Sequence, residues 1–192
     1  TGKRSHFTLF HSFKNRVWLL LKNVPAALLP IMIPGFILAM RWLFARHNPA
    51  ANINFGFGGA DEVRRQIMIP LWNAYSFFVT YANIDQYDPR IPAPLLKDRP
   101  ELDRWILSEI NQLVSDVSGS LNRFAPDVAS RRIEDFVDYL TNWYIRRSRR
   151  RFWKSGILNP AANGIDHDKL SAYSTLYECL VTLAKLTAPF MP

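Results

Sequence analysis

Five arginines fall within six positions from Arg146 to Arg151, and aromatic residues stand on both sides of them. The full stretch reads Asn142-Trp143-Tyr144-Ile145-Arg146-Arg147-Ser148-Arg149-Arg150-Arg151-Phe152-Trp153-Lys154. A guanidinium is a planar fork that holds phosphate through two parallel hydrogen bonds. An exposed aromatic ring offers a stacking platform for an unpaired base. Together these residue types have the chemistry to bind RNA whose bases are not paired. No acid lies between Tyr139 and Gly164, so the segment cannot neutralise itself along its own helix.

A purely structural reading stands beside this one. Cations near a helix C-terminus are favoured by the helix dipole and by its free carbonyls. Acids on neighbouring helices, with Glu109, Asp116 and Glu178 as candidates, could draw some of the arginines into ion pairs. Trp143 and Trp153 would then serve as core or cap residues. Composition leaves the two readings open.

No other constellation carries chemistry. His6, His11, His47 and His167 lack metal-ligand spacing, so no metal site is expected. Gly56-Phe57-Gly58-Gly59 lacks the spacing and the following lysine of a phosphate loop and reads as a turn. Asp135 and Asp138 lie one turn apart near Arg131 and Arg132, an arrangement for ion pairing rather than acid–base work. Cys179, the single cysteine, excludes an internal disulfide and sits on an apolar helix face. No nucleophile has a base partner, and no catalytic residue is assigned.

The elements that must position the arginines are helical. Val63, Ile67, Leu71, Tyr75, Phe78 and Val79 recur at helical spacing, with Pro70 inside the pattern as a kink or a split. The proline-rich stretch 85–100 reads as a connector, and Pro100 suits the first position of the next helix. That helix runs to about Phe124 with Leu102, Trp105, Ile106, Ile110, Leu113, Val117 and Leu121 inward. After Ala125-Pro126, Asp127 is expected to cap a third helix that reaches about Phe152, its inner face being Ile133, Phe136, Val137, Leu140 and Tyr144. Asp166 or Asp168 starts the last helix, with Leu170, Tyr173, Tyr177, Leu180, Leu183 and Ala184 on its inner face. Amphipathic helices with short connections and no alternating stretch imply an all-α helical bundle.

Charge is placed unevenly. Residues 1–60 carry seven of the basic residues and no acid, while the remainder is nearly balanced within an overall charge of +8. From Val24 to Met40 the chain is uncharged but broken by Pro25, Pro30 and Pro34. A membrane span needs roughly 20 apolar residues, so the run is marginal, and the prolines should cost a helix heavily. A small basic helical protein anchored through residues 17–44, or a bundle that binds protein, are the alternative functions at this point.

Several segments resemble a known family. The run Ile69-Pro70-Leu71-Trp72-Asn73-Ala74-Tyr75-Ser76-Phe77-Phe78-Val79-Thr80-Tyr81-Ala82-Asn83 resembles the start of the anticodon-binding domain of isoleucyl-tRNA synthetase, a class I aminoacyl-tRNA synthetase. Leu102-Asp103-Arg104-Trp105-Ile106-Leu107-Ser108, the arginine stretch and Tyr177-Glu178-Cys179-Leu180 resemble it in the same order. Residues 40–46 and 52–55 resemble the junction from the catalytic core. The resemblance therefore divides the chain into an unmatched segment 1–38, a junction 39–60 and a helical anticodon-binding domain 61–192.

The resemblance implies an isoleucine–tRNA ligase, which charges tRNA(Ile) using ATP and magnesium, in the cytoplasm and as a monomer, with no role for DNA or membrane. Carried over position by position, it assigns Trp143, Arg146, Arg147, Arg150, Arg151 and Trp153 to tRNA contact or its support. The His-Ile-Gly-His-type and Lys-Met-Ser-Lys-Ser-type motifs that handle ATP in the family are not in this sequence. The segment by itself is therefore expected to bind no cofactor and to be inactive in amino-acid activation.

Overall fold

The inward faces read along the sequence assemble into a helical bundle, described by a computed structural model over residues 29–48, 57–155 and 166–191. In chain order the elements are α1 (Leu29–Arg46), α2 (Phe57–Val63), a π-helical segment (Arg64–Met68), α3 (Ile69–Ile84), α4 (Glu101–Asn122), α5 (Pro126–Asp138), a second π segment (Tyr139–Ile145), α6 (Arg146–Trp153) and α7 (His167–Thr187). Among the described residues every regular element is helical, as the periodicity requires.

Helix α4 carries the clearest stripe: Ile106, Leu107, Ile110, Leu113 and Val117 are buried at helical steps. A short turn returns the chain into α5, whose Ile133, Phe136 and Val137 pack against that stripe. Helix α7 lies against α3, α4 and α6 and is the central strut. Every residue from Lys169 to Leu176 is buried, whereas Tyr177 and Ala184, expected inward, are exposed. A helix surrounded by neighbours on most sides has no single inner face to read.

Helix α1 closes one side of the core through Trp42. Its ring is fully buried against Phe190 at 5.3 Å, and its indole Nε1 donates to Glu134 Oε1 at 2.8 Å. The expectation that prolines would break this region is corrected over Leu29–Arg46, where the helix passes through Pro34. Pro30 lies in the first turn, whose N–H groups lack intrahelical partners in any case. Pro34, one turn further on, forfeits a single early hydrogen bond. Helix α1 also crosses the boundary expected between residues 38 and 39. Residues 1–28 and 52–55, on which other expectations fell, lie outside the described residues. No helix among those described is long and apolar enough to cross a membrane.

Two π segments interrupt the helices without displacing the inward face. Each widens its turn to an i→i+5 hydrogen bond. Seven residues after Ile67 the inward position is Ala74, at 2% exposure, as two ordinary helical turns require, while Tyr75 turns out at 49%. Pro70 follows the first π segment in the opening turn of α3, so the chain widens before the proline rather than splitting. Two cap expectations also change. Pro100 is the N-cap of α4 rather than its first residue, and α5 begins at Pro126 with no side-chain cap, leaving Asp127 in the first turn. Gly58 and Gly59 lie within α2 rather than in a turn. Asp166 caps α7 as expected, accepting from the Lys169 N–H at 2.9 Å.

Cys179 is fully buried, and burial pushes its thiol well above the ordinary range. A neutral thiol without solvent access is a poor nucleophile. In the native chain it is expected to resist DTNB over hours and to react fully once denaturant is added. Rapid labelling without denaturant would show that α7 opens readily.

Candidate nucleic-acid interface

The arginine stretch is presented by a continuous helix formed by α5, the second π segment and α6. Tyr144, Ile145, Ser148 and Phe152 point into the core, and Phe152 wedges its ring against Phe77 at 5.1 Å and Tyr173 at 4.8 Å. That anchoring leaves Arg146, Arg147, Arg149 and Arg150 on the solvent side. Trp143 and Trp153 are 50% and 57% exposed, neither core nor cap. The Arg147 guanidinium lies 5.0 Å from the centre of the Trp143 ring, a cation–π contact that fixes both groups without neutralising the charge.

Among the described residues no carboxylate lies within ion-pairing distance of Arg146, Arg147, Arg149 or Arg150. The acids considered as their partners are engaged elsewhere or left alone. Asp116 pairs with Arg132 at 2.9 Å, and Glu178 pairs with the buried Arg99 at 2.7 Å. Glu109 forms no ion pair among the described residues. Arg132 also reaches Asp135 at 3.8 Å, the local pairing expected on α5.

Arg151 differs from its neighbours. Its Nη1 and Nη2 donate to the two oxygens of Asp103 at 2.6 and 2.8 Å, and Nη2 also reaches the Asp168 carbonyl at 2.9 Å. Nε makes an ionic contact with the Asp168 carboxylate at 2.9 Å, without hydrogen-bond geometry. Burial works against its charge, but the hydrogen bonds and charge of Asp103 more than offset this and hold the guanidinium above its usual value. Arg151 thus belongs to the support of the face rather than to its exposed set. Asp103 is itself fully buried and accepts further bonds from Tyr144 Oη at 3.0 Å and Ser171 Oγ at 2.5 Å.

A second clamp closes the end of the helix. Lys154 pairs with Asp166 at 2.8 Å and Asp168 at 3.2 Å. The buried Lys169 donates to the Lys154 carbonyl at 2.8 Å and pairs with Asp85 at 2.8 Å, and Tyr173 Oη also donates to Asp85. Sequence reasoning gave no role to Asp85, Asp103 or Lys169. For Asp103 a signal exists: it stands in the inward stripe of α4, one turn before Ile106, where an acid survives only if something pairs with it.

Residues 103–192 match the model of the anticodon-binding domain of tRNA ligase. Over these residues the chain belongs to that family. It is 57% identical over 155 residues to an isoleucine–tRNA ligase of Dehalococcoides mccartyi, 45% to one of Bacteroides fragilis and 44% to one of Thermus thermophilus. Each alignment covers 80% of this chain, in keeping with the extent of the resemblance, but only 13–14% of the relative. The chain thus spans about one seventh of the length of these ligases. Within the anticodon-binding domain, α4 to α7 supply both the solvent-facing arginines and the ion pairs that support them.

Proposed function

We propose that this chain is the part of an isoleucine–tRNA ligase that holds the anticodon side of tRNA(Ile). Arg146, Arg147 and Arg150 contact phosphate, joined by Arg149, while Trp143 and Trp153 offer stacking faces. The observation that carries this reading is the set of exposed guanidiniums with no carboxylate partner, flanked by two half-exposed indoles on one helix. Arg151 acts from beneath by fixing the helix to Asp103. Charging of tRNA with isoleucine, ATP and magnesium would require the rest of such a ligase. The chain alone is not expected to activate isoleucine, because the two ATP-handling motifs are not in its sequence. Isoleucine-dependent pyrophosphate exchange by this chain alone would overturn that part.

The test of binding is a salt titration. Each phosphate neutralised on unpaired RNA contributes about −0.7 to the slope of log K against log salt. Replacing Arg146, Arg147, Arg149 and Arg150 with glutamine is expected to reduce that slope by roughly two to three and to weaken tRNA binding about a hundredfold at low salt. Circular dichroism should be unchanged, since these side chains have no carboxylate partner among the described residues. An unaltered affinity and slope would show that the arginines do not face RNA.

A further inference from the structure

Between α3 and the second π segment lies a groove of about 460 Å³ whose polar lining takes no part in the ion-pair clamps. Its floor is Ala74, Phe77 and Ile145. Its polar groups are not used up: the Asn73 side chain and the Asp138 Oδ2 have no partner among the described residues, and Asp138 Oδ1 accepts from Asn142 Nδ2 at 2.5 Å. Arg149 stands at the opposite end, likewise without a carboxylate partner among the described residues. Both π segments border this one groove, through Gln66 from the first and Thr141, Asn142 and Ile145 from the second. Such widened turns forfeit helix stability and concentrate at binding sites. Here they make room where two straight helices would otherwise close on each other.

We infer that the groove is a subsite for one unpaired nucleotide that selects bases carrying an exocyclic amino group. This rests on the RNA-binding reading above and assigns base discrimination to residues outside the arginine face. Charge sets the orientation. The Asp138 carboxylate repels phosphate, so the phosphate lies at Arg149, and the base edge lies toward Asp138 and Asn142. Asp138 and Arg149 are eleven residues apart, about 16 Å along the axis, and the long Arg149 side chain, leaning back toward the helix N-terminus, narrows this to the span that a nucleotide covers from phosphate to base edge. The free Asp138 oxygen accepts a hydrogen bond from the amino group of cytosine, adenine or guanine, as carboxylates do with the cytosine amino group. Uracil offers only an N3–H flanked by two carbonyls that a carboxylate repels. Phe77 and the Ala74 methyl give the base an apolar floor.

The experiment uses the 192-residue chain and short RNA hairpins that differ by a single loop base. At one loop position, an amino-bearing base is expected to bind about tenfold tighter than uracil, the usual scale of a base-edge contact. Asp138→Asn should abolish that preference, because its amide offers a donor in place of an acceptor oxygen. Asn73→Ala should weaken the preferred hairpin, and Arg149→Gln should weaken all hairpins by a common factor. Asp138 and Asn73 are exposed, so neither variant should unfold the chain. Base preferences that survive Asp138→Asn, or no position that distinguishes uracil, would overturn the subsite. A groove filled by a protein segment instead would leave RNA discrimination untouched by these variants, and the subsite would fall in the same way. Should the arginine variant still lower the salt slope, the subsite alone fails; should it not, the RNA-binding reading falls as well.

Discussion

Replacing Asp103 with alanine is expected to lower the unfolding free energy by about 3–5 kcal/mol. The carboxylate is fully buried and takes two hydrogen bonds from Arg151, one from Tyr144 and one from Ser171. Removing it leaves a largely buried guanidinium with only Asp168 near its edge, orphans the buried Ser171 hydroxyl and leaves Tyr144 Oη with only its long bond to the Ala172 carbonyl at 3.4 Å. The loss is mainly the desolvation of the unpaired charge, which exceeds the net worth of the pair itself. A domain of this kind is stable by about 5–15 kcal/mol, so the variant should melt far below the parent chain. Denaturant titration followed by circular dichroism measures the difference. The paired change Asp103→Leu with Arg151→Met should recover much of the loss, because apolar residues of similar volume can replace a buried ion pair at little cost. Arg150→Ala, by contrast, should be neutral within about 0.5 kcal/mol, as surface changes usually are. If Asp103→Ala were equally neutral, the clamp would not hold the helix.

Replacing Phe152 with alanine is expected to cost about 3–5 kcal/mol as well, through loss of the ring's transfer free energy and a cavity that helices held at both ends close only in part. The ring is 1% exposed and meets Phe77 and Tyr173 edge to face. The consequence for RNA separates anchoring from contact. All four exposed arginines remain, so the salt slope of tRNA binding should stay as it is, while affinity falls because the helix no longer sits at one angle. Trp153→Ala, next in sequence and 57% exposed, should leave stability nearly unchanged and weaken stacking. A Phe152→Ala chain with parental stability and affinity would show that α6 is positioned by the ion-pair clamps alone.

The two variants bear on a single relation. Arg146, Arg147, Arg149 and Arg150 can stay on the surface without carboxylate partners only because Phe152, Ser148 and the Arg151–Asp103 pair fasten the other side of the same helix. Four neighbouring positive charges repel one another and favour fraying at the helix end. The burial beneath them, with Lys154 bound to Asp166 and Asp168, opposes that tendency.

The sequence by itself determined the helices of α4 and α5, whose inward residues recur at helical steps, because that period is a local property of the backbone. It also determined the Asp166 cap, the density of arginine after Ile145 and the likeness to the anticodon-binding domain. Tertiary structure alone decided which arginine is held by acids. Arg150 and Arg151 are chemically identical and adjacent; helical spacing from Tyr144 turns Arg151 toward the core side, and there Asp103 and Asp168, far apart in the chain, meet it across packed helices. The continuation of α1 through Pro34 and the groove beneath Arg149 belong to the same class. They depend on distances between elements, which periodicity along a single chain does not encode.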